Sequence, residues 1–233
     1  MEYFFRHRPD QGFDFNMGLV RLGLIFFLIF IYKVRNKKQT LPILLSLSAI
    51  MQLVLFFWYT KDPDLFIKEG LPLYHCRIAG LMIPIAYLIK KENIESYFAN
   101  LAIIGTLVAF AIPDPSKFAW PHITNITYVA NHYLLIGSGL LIGIKNKKDL
   151  DIKNILIISL GMNILISMVN LKLNTNYGYL SQVPIPGLEN LPKGLIFFAM
   201  TILISLVIYA IEKSKNIIRE SQINIKIADI INK

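Results

Sequence analysis

Seven long apolar stretches, separated by shorter polar connections, constrain the fold of this chain more than any other feature. A helix needs about 20 apolar residues to cross the hydrocarbon core of a bilayer. Because lipid offers no hydrogen-bond partner to an exposed backbone, each stretch is predicted to be a transmembrane α-helix. The predicted helices cover residues 17–33, 41–59, 72–89, 96–113, 126–144, 154–171 and 191–211.

The composition agrees with an integral membrane protein. Of 233 residues, 55% are hydrophobic, and the mean hydropathy is +0.52, above the range of soluble globular domains. No internal repeat or linker divides the chain, so we expect an all-α, polytopic membrane helical bundle that forms a single transmembrane domain over residues 1–233. Residues 212–233 are predicted to be a cytoplasmic amphipathic tail. The expected location is the cell membrane, with multiple passes.

The charged residues indicate the orientation of the bundle. The net charge of +9 does not predict nucleic-acid binding, because the basic residues lie between the apolar stretches and form no patch. Of the 24 Lys and Arg, fifteen fall in alternate connections on one side and seven on the other. The positive-inside rule therefore predicts an N-terminus outside and a C-terminus in the cytoplasm.

Two arginines remain inside predicted helices, whereas all acidic residues fall in predicted connections and tails. Arg21 and Arg77 each lie near the outer end of a helix. An intramembrane cation without an intramembrane carboxylate indicates a functional site. The alternative is that both side chains extend to the interface, where their charges are hydrated.

Several polar side chains are predicted to lie at one depth near the outer leaflet. Cys76 lies about 6 to 8 Å below the outer end of its helix, at about 1.5 Å per residue, and His132 reaches a similar level. Asn125 and Tyr128 share a helical stripe with His132. Such convergence is typical of a site, but Asn and Ser side chains also join helices by interhelical hydrogen bonds.

The pairing of Cys76 with His132 carries the chemical hypothesis. A thiol becomes a strong nucleophile when a neighbouring imidazole accepts its proton. His75 is the weaker candidate for the base, because consecutive helical residues point about 100° apart. The alternative is that Cys76 is a small buried apolar residue, as free cysteines often are. No metal-ligand spacing accompanies this single cysteine, so no metal and no cofactor are predicted.

Three segments resemble a known family. "LPLYHC" opens the third predicted helix, "ANHYLLI" lies in the fifth, and "NTNYGYLSQVP" follows the sixth. Together they resemble the YwaF-like bacterial integral membrane proteins and their eukaryotic relatives, the transmembrane-protein-164 acyltransferases. The resemblance implies a helical membrane enzyme in which a cysteine and a histidine, matching Cys76 and His132, handle phospholipid acyl groups through an acyl-enzyme.

The predicted function is therefore acyl transfer or ester hydrolysis on a membrane phospholipid or other acyl lipid. Cys76 is the predicted nucleophile and His132 the general base. The alternative is a non-catalytic carrier or receptor that binds an anionic amphiphile in the same pocket. The residues predicted to bind substrate are Arg77, Arg21, His75, Asn125, Tyr128, Asn131, Asn170 and Tyr177.

Overall fold

The chain folds into a bundle of helices. The computed structural model describes residues 3–10, 12, 14, 16–146 and 149–231, with side chains described as far as residue 215. Within these ranges all regular structure is helical, as predicted. The helices are α1 (Met17–Val34), α2 (Thr40–Tyr59), α3 (Pro63–Gly70), α4 (His75–Leu88), α5 (Glu92–Ala111), α6 (Ile123–Lys145), α7 (Ile152–Leu173) and α8 (Lys193–Ile231).

Six of these helices are long and apolar enough to cross a membrane. A seventh crossing results if α3 and α4 together form one span, with a bend of 80° between them. The polytopic all-helical fold is therefore confirmed. The orientation of the two termini remains a prediction.

The third predicted helix differs most from its prediction. It was expected to begin at residue 72, but α4 begins at His75. Pro72 has no backbone N–H and disfavours a helical conformation at the preceding residue, and Leu71 is indeed extended, with φ −65° and ψ 141°. The chain therefore leaves α3, whose last residues Phe66–Gly70 are π-helical, turns sharply and re-enters a helix just before Cys76.

Helices α5 and α6 form the centre of the bundle. Gly139 of α6 allows the closest approach, because a Cβ atom at this position would lie only 2.6 Å from the backbone oxygen of Ala99 in α5. At the edge of the bundle, α1 buries only Val20, Leu24 and Ile31. Most of its other apolar side chains are exposed, as expected for a helix in contact with lipid.

The last helix is longer than predicted. Instead of ending at residue 211, α8 continues to Ile231, so most of the predicted tail belongs to the same helix; residues 232 and 233 lie outside the described ranges. Glu212 was expected in that tail. Its side chain is instead 5% exposed and accepts hydrogen bonds from Asn100 Nδ2 and Lys215 Nζ, both at 2.7 Å, and from Leu150 N at 3.2 Å. These partners compensate for the burial of the carboxylate.

Candidate functional site

Cys76 lies in the first turn of α4. Tyr74, the residue just before this helix, is the N-cap and supplies no side-chain hydrogen bond to the first turn. The residue as a whole is only partly buried. The Cβ atom of Cys76 packs against α5, where a Cβ atom on Gly105 would lie 3.7 Å from it. Cys76 therefore lies at a helix N-terminus, with its Cβ beside a residue without a side chain.

His132 is held in one tautomer by its backbone. Its Nδ1 atom lies 2.6 Å from the carbonyl oxygen of Tyr128, one turn earlier in α6. A carbonyl oxygen only accepts, so Nδ1–H is the donor and Nε2 of the neutral ring carries a free lone pair. The side chain is 4% exposed, and Nε2 has no hydrogen-bond partner in the described part of the chain. A buried imidazole lone pair without a partner is the property required of a general base.

The two residues pack against the same turn of α5. Cys76 contacts the position of Gly105, and the hydroxyl group of the next residue, Thr106, donates to the backbone oxygen of His132 at 3.0 Å. Cys76 Cβ and the backbone oxygen of His132 thus lie on two helices at one level of the bundle. No hydrogen bond joins Sγ to Nε2 among the described residues, so their direct pairing remains a prediction.

Arg77 and Tyr177 both bind the end of α3. The guanidinium group of Arg77 donates to the backbone oxygens of Glu69 at 2.6 Å and Gly70 at 2.9 Å. The Tyr177 hydroxyl donates to the backbone oxygen of Ile67 at 2.8 Å. These bonds satisfy carbonyl groups that α3 leaves open where it ends. Both side chains therefore stabilise the end of α3. Of their polar atoms, Nε of Arg77 is the one that is buried without a described hydrogen-bond partner.

Several other predicted site residues join helices. His75 Nε2 donates to Asn163 Oδ1 at 2.9 Å, and Asn131 Oδ1 accepts from the hydroxyl group of Ser48 at 2.7 Å. Such bonds connect α4 to α7 and α2 to α6. Within the described ranges, no three His, Cys, Asp or Glu side chains are grouped as potential metal ligands.

The remaining predicted residues bind backbone groups. Their hydrogen bonds run from Arg21 Nε to the oxygen of Phe110 at 2.9 Å, from the Tyr128 hydroxyl to the oxygen of Ala109 at 2.6 Å, from Asn125 Nδ2 to the oxygen of Phe118 at 3.0 Å, and from Asn170 Nδ2 to the oxygen of Tyr177 at 2.8 Å. Asn125 Oδ1 is buried and has no partner among the described residues.

Gln52 of α2 is a site candidate that the sequence analysis missed. Its side-chain oxygen and nitrogen are both buried and without a hydrogen-bond partner in the described ranges. The amide rests against Gly80 of α4, where a Cβ atom would lie 2.7 Å from Gln52 Nε2. The available signal was a lone glutamine in the middle of an apolar helix.

Unpartnered buried polar atoms concentrate on α2, α4 and α6. Native proteins leave few such atoms, and each requires an explanation such as a catalytic role or a bound polar group. In the described ranges they belong to Gln52 on α2, Arg77 on α4 and three residues of α6, Asn125, His132 and Ser138, with Ser205 of α8 as a further case. These atoms are therefore candidates for contact with a bound polar group.

A polar cavity of about 460 Å³ opens at the Cys76 end of the bundle. It is formed by the end of α3, the N-cap of α4, the loop after α7 and the first residue of α8. Lys68 and Lys193 line it, and neither forms an ion pair with a described carboxylate. Glu69, Tyr74 and Asn176 also line it. The cavity thus presents two cations, one carboxylate and several neutral polar groups, and Tyr74 in its lining lies two residues before the cysteine.

His122 connects the start of α6 to the N-terminal segment. Its Nδ1 atom accepts from the hydroxyl group and N–H of Thr124, at 2.8 and 3.3 Å, and its Nε2–H donates to the backbone oxygen of Arg6 at 2.9 Å. The ring stacks on Phe118 with a centroid distance of 4.0 Å. Burial lowers the pKa of His122 from about 6.5 to about 4.

Comparison with known proteins assigns the chain to a family. No curated protein and no solved structure matches it. Residues 13–213, which include α1 to α7 and most of the membrane-crossing part of α8, match the TMEM164 family. This match covers well over half of the 233 residues, and the chain therefore belongs to the TMEM164 family.

Proposed function

We propose that this protein transfers or hydrolyses acyl groups of membrane phospholipids through a thioester on Cys76. The observation that carries the proposal is the free lone pair of His132 Nε2, which is buried and unpartnered in a residue that packs on the same turn of α5 as the only cysteine in the chain. Membership of the TMEM164 family, which the sequence resemblance links to phospholipid acyl transfer, supports it.

The chemistry requires two transfers of the acyl group, first to Cys76 and then to an acceptor. His132 Nε2 accepts the thiol proton while Sγ attacks the ester carbonyl carbon; the C–S bond forms and the carbonyl π electrons move to oxygen. The tetrahedral intermediate collapses, the C–O bond to the lipid alcohol breaks, and the leaving oxygen takes the proton from His132. Water or the hydroxyl group of a lysolipid then attacks the thioester, and the same imidazole serves as base and then as acid.

The geometry before substrate binding is compatible with this sequence of steps. Hydrogen bonds between catalytic groups are often formed only in the substrate complex. Rotation about the Cα–Cβ bond of Cys76 moves Sγ, whereas the Tyr128 carbonyl fixes the ring of His132. The thiol is thus the movable partner and the imidazole the fixed one.

The lysine-lined cavity supports a phospholipid as substrate. An ammonium group binds phosphate oxygens through charge-assisted hydrogen bonds. Because Arg77 is bound to the end of α3, Lys68 and Lys193 are the cations better placed for a head group. The ester groups of a phospholipid lie a few bonds inward of its phosphate, and Cys76 lies two residues inward of Tyr74, which lines the cavity.

Trapping the acyl-enzyme tests this function. Purified protein in detergent is incubated with a diacyl phospholipid, and its intact mass is measured before and after hydroxylamine, which cleaves thioesters. We expect an adduct of one acyl chain on the wild type and none on Cys76→Ser. His132→Ala should form the adduct about 100-fold more slowly or worse, because general base catalysis contributes about 10²- to 10⁴-fold.

Ser138→Ala is the matched control, since Ser138 is also buried on α6 and its hydroxyl group has no described partner. It should acylate like the wild type. Lipid that copurifies or binds without forming any thioester would contradict the enzymatic function and favour the alternative of a non-catalytic carrier. Equal acylation of wild type and His132→Ala would remove His132 from the mechanism.

A further inference from the structure

We propose that the side-chain amide of Gln52 donates the hydrogen bond that stabilises the oxyanion during acyl transfer to Cys76. This inference rests on the function proposed above and adds the group that receives the developing negative charge. A glutamine N–H is a suitable donor for such an oxyanion. Three features of Gln52 support this role: its level in the bundle, its contact with α4 and its missing hydrogen-bond partners.

Two contacts fix the level of α2 against α6. Near one end of this antiparallel pair, the rings of Trp58 and His122 lie with centroids 5.0 Å apart. Further along, Ser48 donates to Asn131. Gln52 lies between these contacts, one turn from Ser48, and therefore opposite the turn of α6 that contains Tyr128. The imidazole of His132 lies at that turn, because its Nδ1–H binds the Tyr128 oxygen.

The contact with α4 brings the amide near the thiol. Gln52 rests against Gly80, which is four residues after Cys76 and so lies on nearly the same helix face, about 40° away. Side chains separated by four residues have Cβ atoms about 5 to 6 Å apart. An acyl group on Sγ extends from Cys76 into this interval. The contact at Gly80 thus places the Gln52 amide one helical turn along α4 from the acyl group.

The missing hydrogen bonds indicate a function. A buried amide without partners lowers stability, by about 1 to 3 kcal/mol in typical proteins. Both amide atoms of Gln52 are in this state, and the side chain is only 5% exposed. Because neither atom is bound, the amide is free to turn its NH₂ group toward an oxyanion. Gly80 provides the necessary space, since any larger residue would occupy the position of Nε2.

Two reactions of the same thiol separate this role from a structural one. Acylation by p-nitrophenyl octanoate passes through an oxyanion, whereas alkylation by iodoacetamide is a direct displacement at carbon and forms none. Cys76 is the only cysteine, so a hydroxylamine-labile thioester and an alkylated thiol, each located by peptide mass spectrometry, report on it alone. In Gln52→Met we expect acylation about 100-fold slower, the typical loss of one oxyanion donor, and alkylation within about twofold of the wild type.

Two further variants complete the test. Gly80→Ala, which displaces the amide, should show the same selective loss of acylation. Gln39→Met, at an exposed position before α2, should behave as the wild type in both reactions. The thermal midpoint of Gln52→Met should be no lower than that of the wild type, because an apolar group replaces an unsatisfied polar one.

The outcomes distinguish this inference from the proposed function. A wild-type thiol that is never acylated would overturn both. Normal acylation in Gln52→Met would overturn the role of Gln52 and leave the thioester mechanism intact. A parallel loss of acylation and alkylation would also overturn it, because it would show that Gln52 only supports the local structure.

Discussion

Replacement of Arg77 by methionine should release the end of α3. The guanidinium group is 7% exposed and makes two hydrogen bonds, to the oxygens of Glu69 and Gly70. A hydrogen bond to a charged group contributes about 1.5 to 3 kcal/mol, so the two together stabilise this segment by roughly 3 to 6 kcal/mol. Methionine fills a similar space but leaves both carbonyl groups unpaired, which is the costly case for a buried backbone.

Limited proteolysis measures this opening. Trypsin cleaves after Lys68, within the π-helical part of α3, and the cleavage rate follows the population of the open segment when opening and closing are fast. A change of about 3 kcal/mol corresponds to more than about 100-fold faster cleavage at Lys68. Arg21→Met is the matched control, because exposed Arg21 makes only one such bond, to Phe110. Cleavage at Lys68 should be unchanged in that variant.

An unchanged rate of cleavage at Lys68 in Arg77→Met would refute the reasoning. It would mean that the two guanidinium bonds do not stabilise α3. Binding of a lipid phosphate, as first predicted from the sequence, would then be the better account of this cation. Arg77→Lys should fall between the wild type and methionine, because an ammonium group does not span both carbonyl oxygens with the same fixed geometry.

Two further predictions concern packing and pH. Gly139→Ala should lower stability in detergent by about 1 to 3 kcal/mol, since its methyl group would overlap a backbone oxygen of α5, whereas Gly161→Ala, which faces open space, should not. His122 has a pKa of about 4 in the folded chain, below about 6.5 when unfolded, so the unfolded state takes up its proton first as the pH falls. The contribution of neutral His122 to stability should be complete above about pH 6.5 and lost as the pH falls from about 6.5 to 4. In His122→Asn, which keeps an acceptor at the helix cap, the thermal unfolding midpoint should depend less on pH across that window.

The membrane-crossing helices could be predicted because bilayer thickness sets their length. The break before α4 could not be seen in average hydropathy, since the residues around it are apolar. Its signal was local: Gly70 ends α3, and Pro72 forces Leu71 out of the helix. The burial of Glu212 depended on Asn100 and Lys215, and a partner that is distant in sequence cannot be read from the residues next to it.

The candidate site was predictable in part. Depth follows from the rise per residue, so Cys76 and His132 could be placed at one level, and both pack on the same turn of α5. The direction of each side chain depends on how the helices pack, which sequence periodicity does not determine in an apolar bundle. For this reason the tasks of Arg77 and Tyr177 at the end of α3, and the position of Gln52, required the structure.

The uninterrupted course of α8 has a mechanical consequence. At about 1.5 Å per residue, its 39 residues span about 58 Å, nearly twice the hydrocarbon thickness of about 30 Å. Ile231 therefore stands about 24 Å beyond Lys215 on the same axis. A rigid rod of that reach amplifies motion: a 10° change in its tilt displaces its far end sideways by about 4 Å. A fluorophore near Ile231 would thus report a change in the tilt of α8 against α5 and α7.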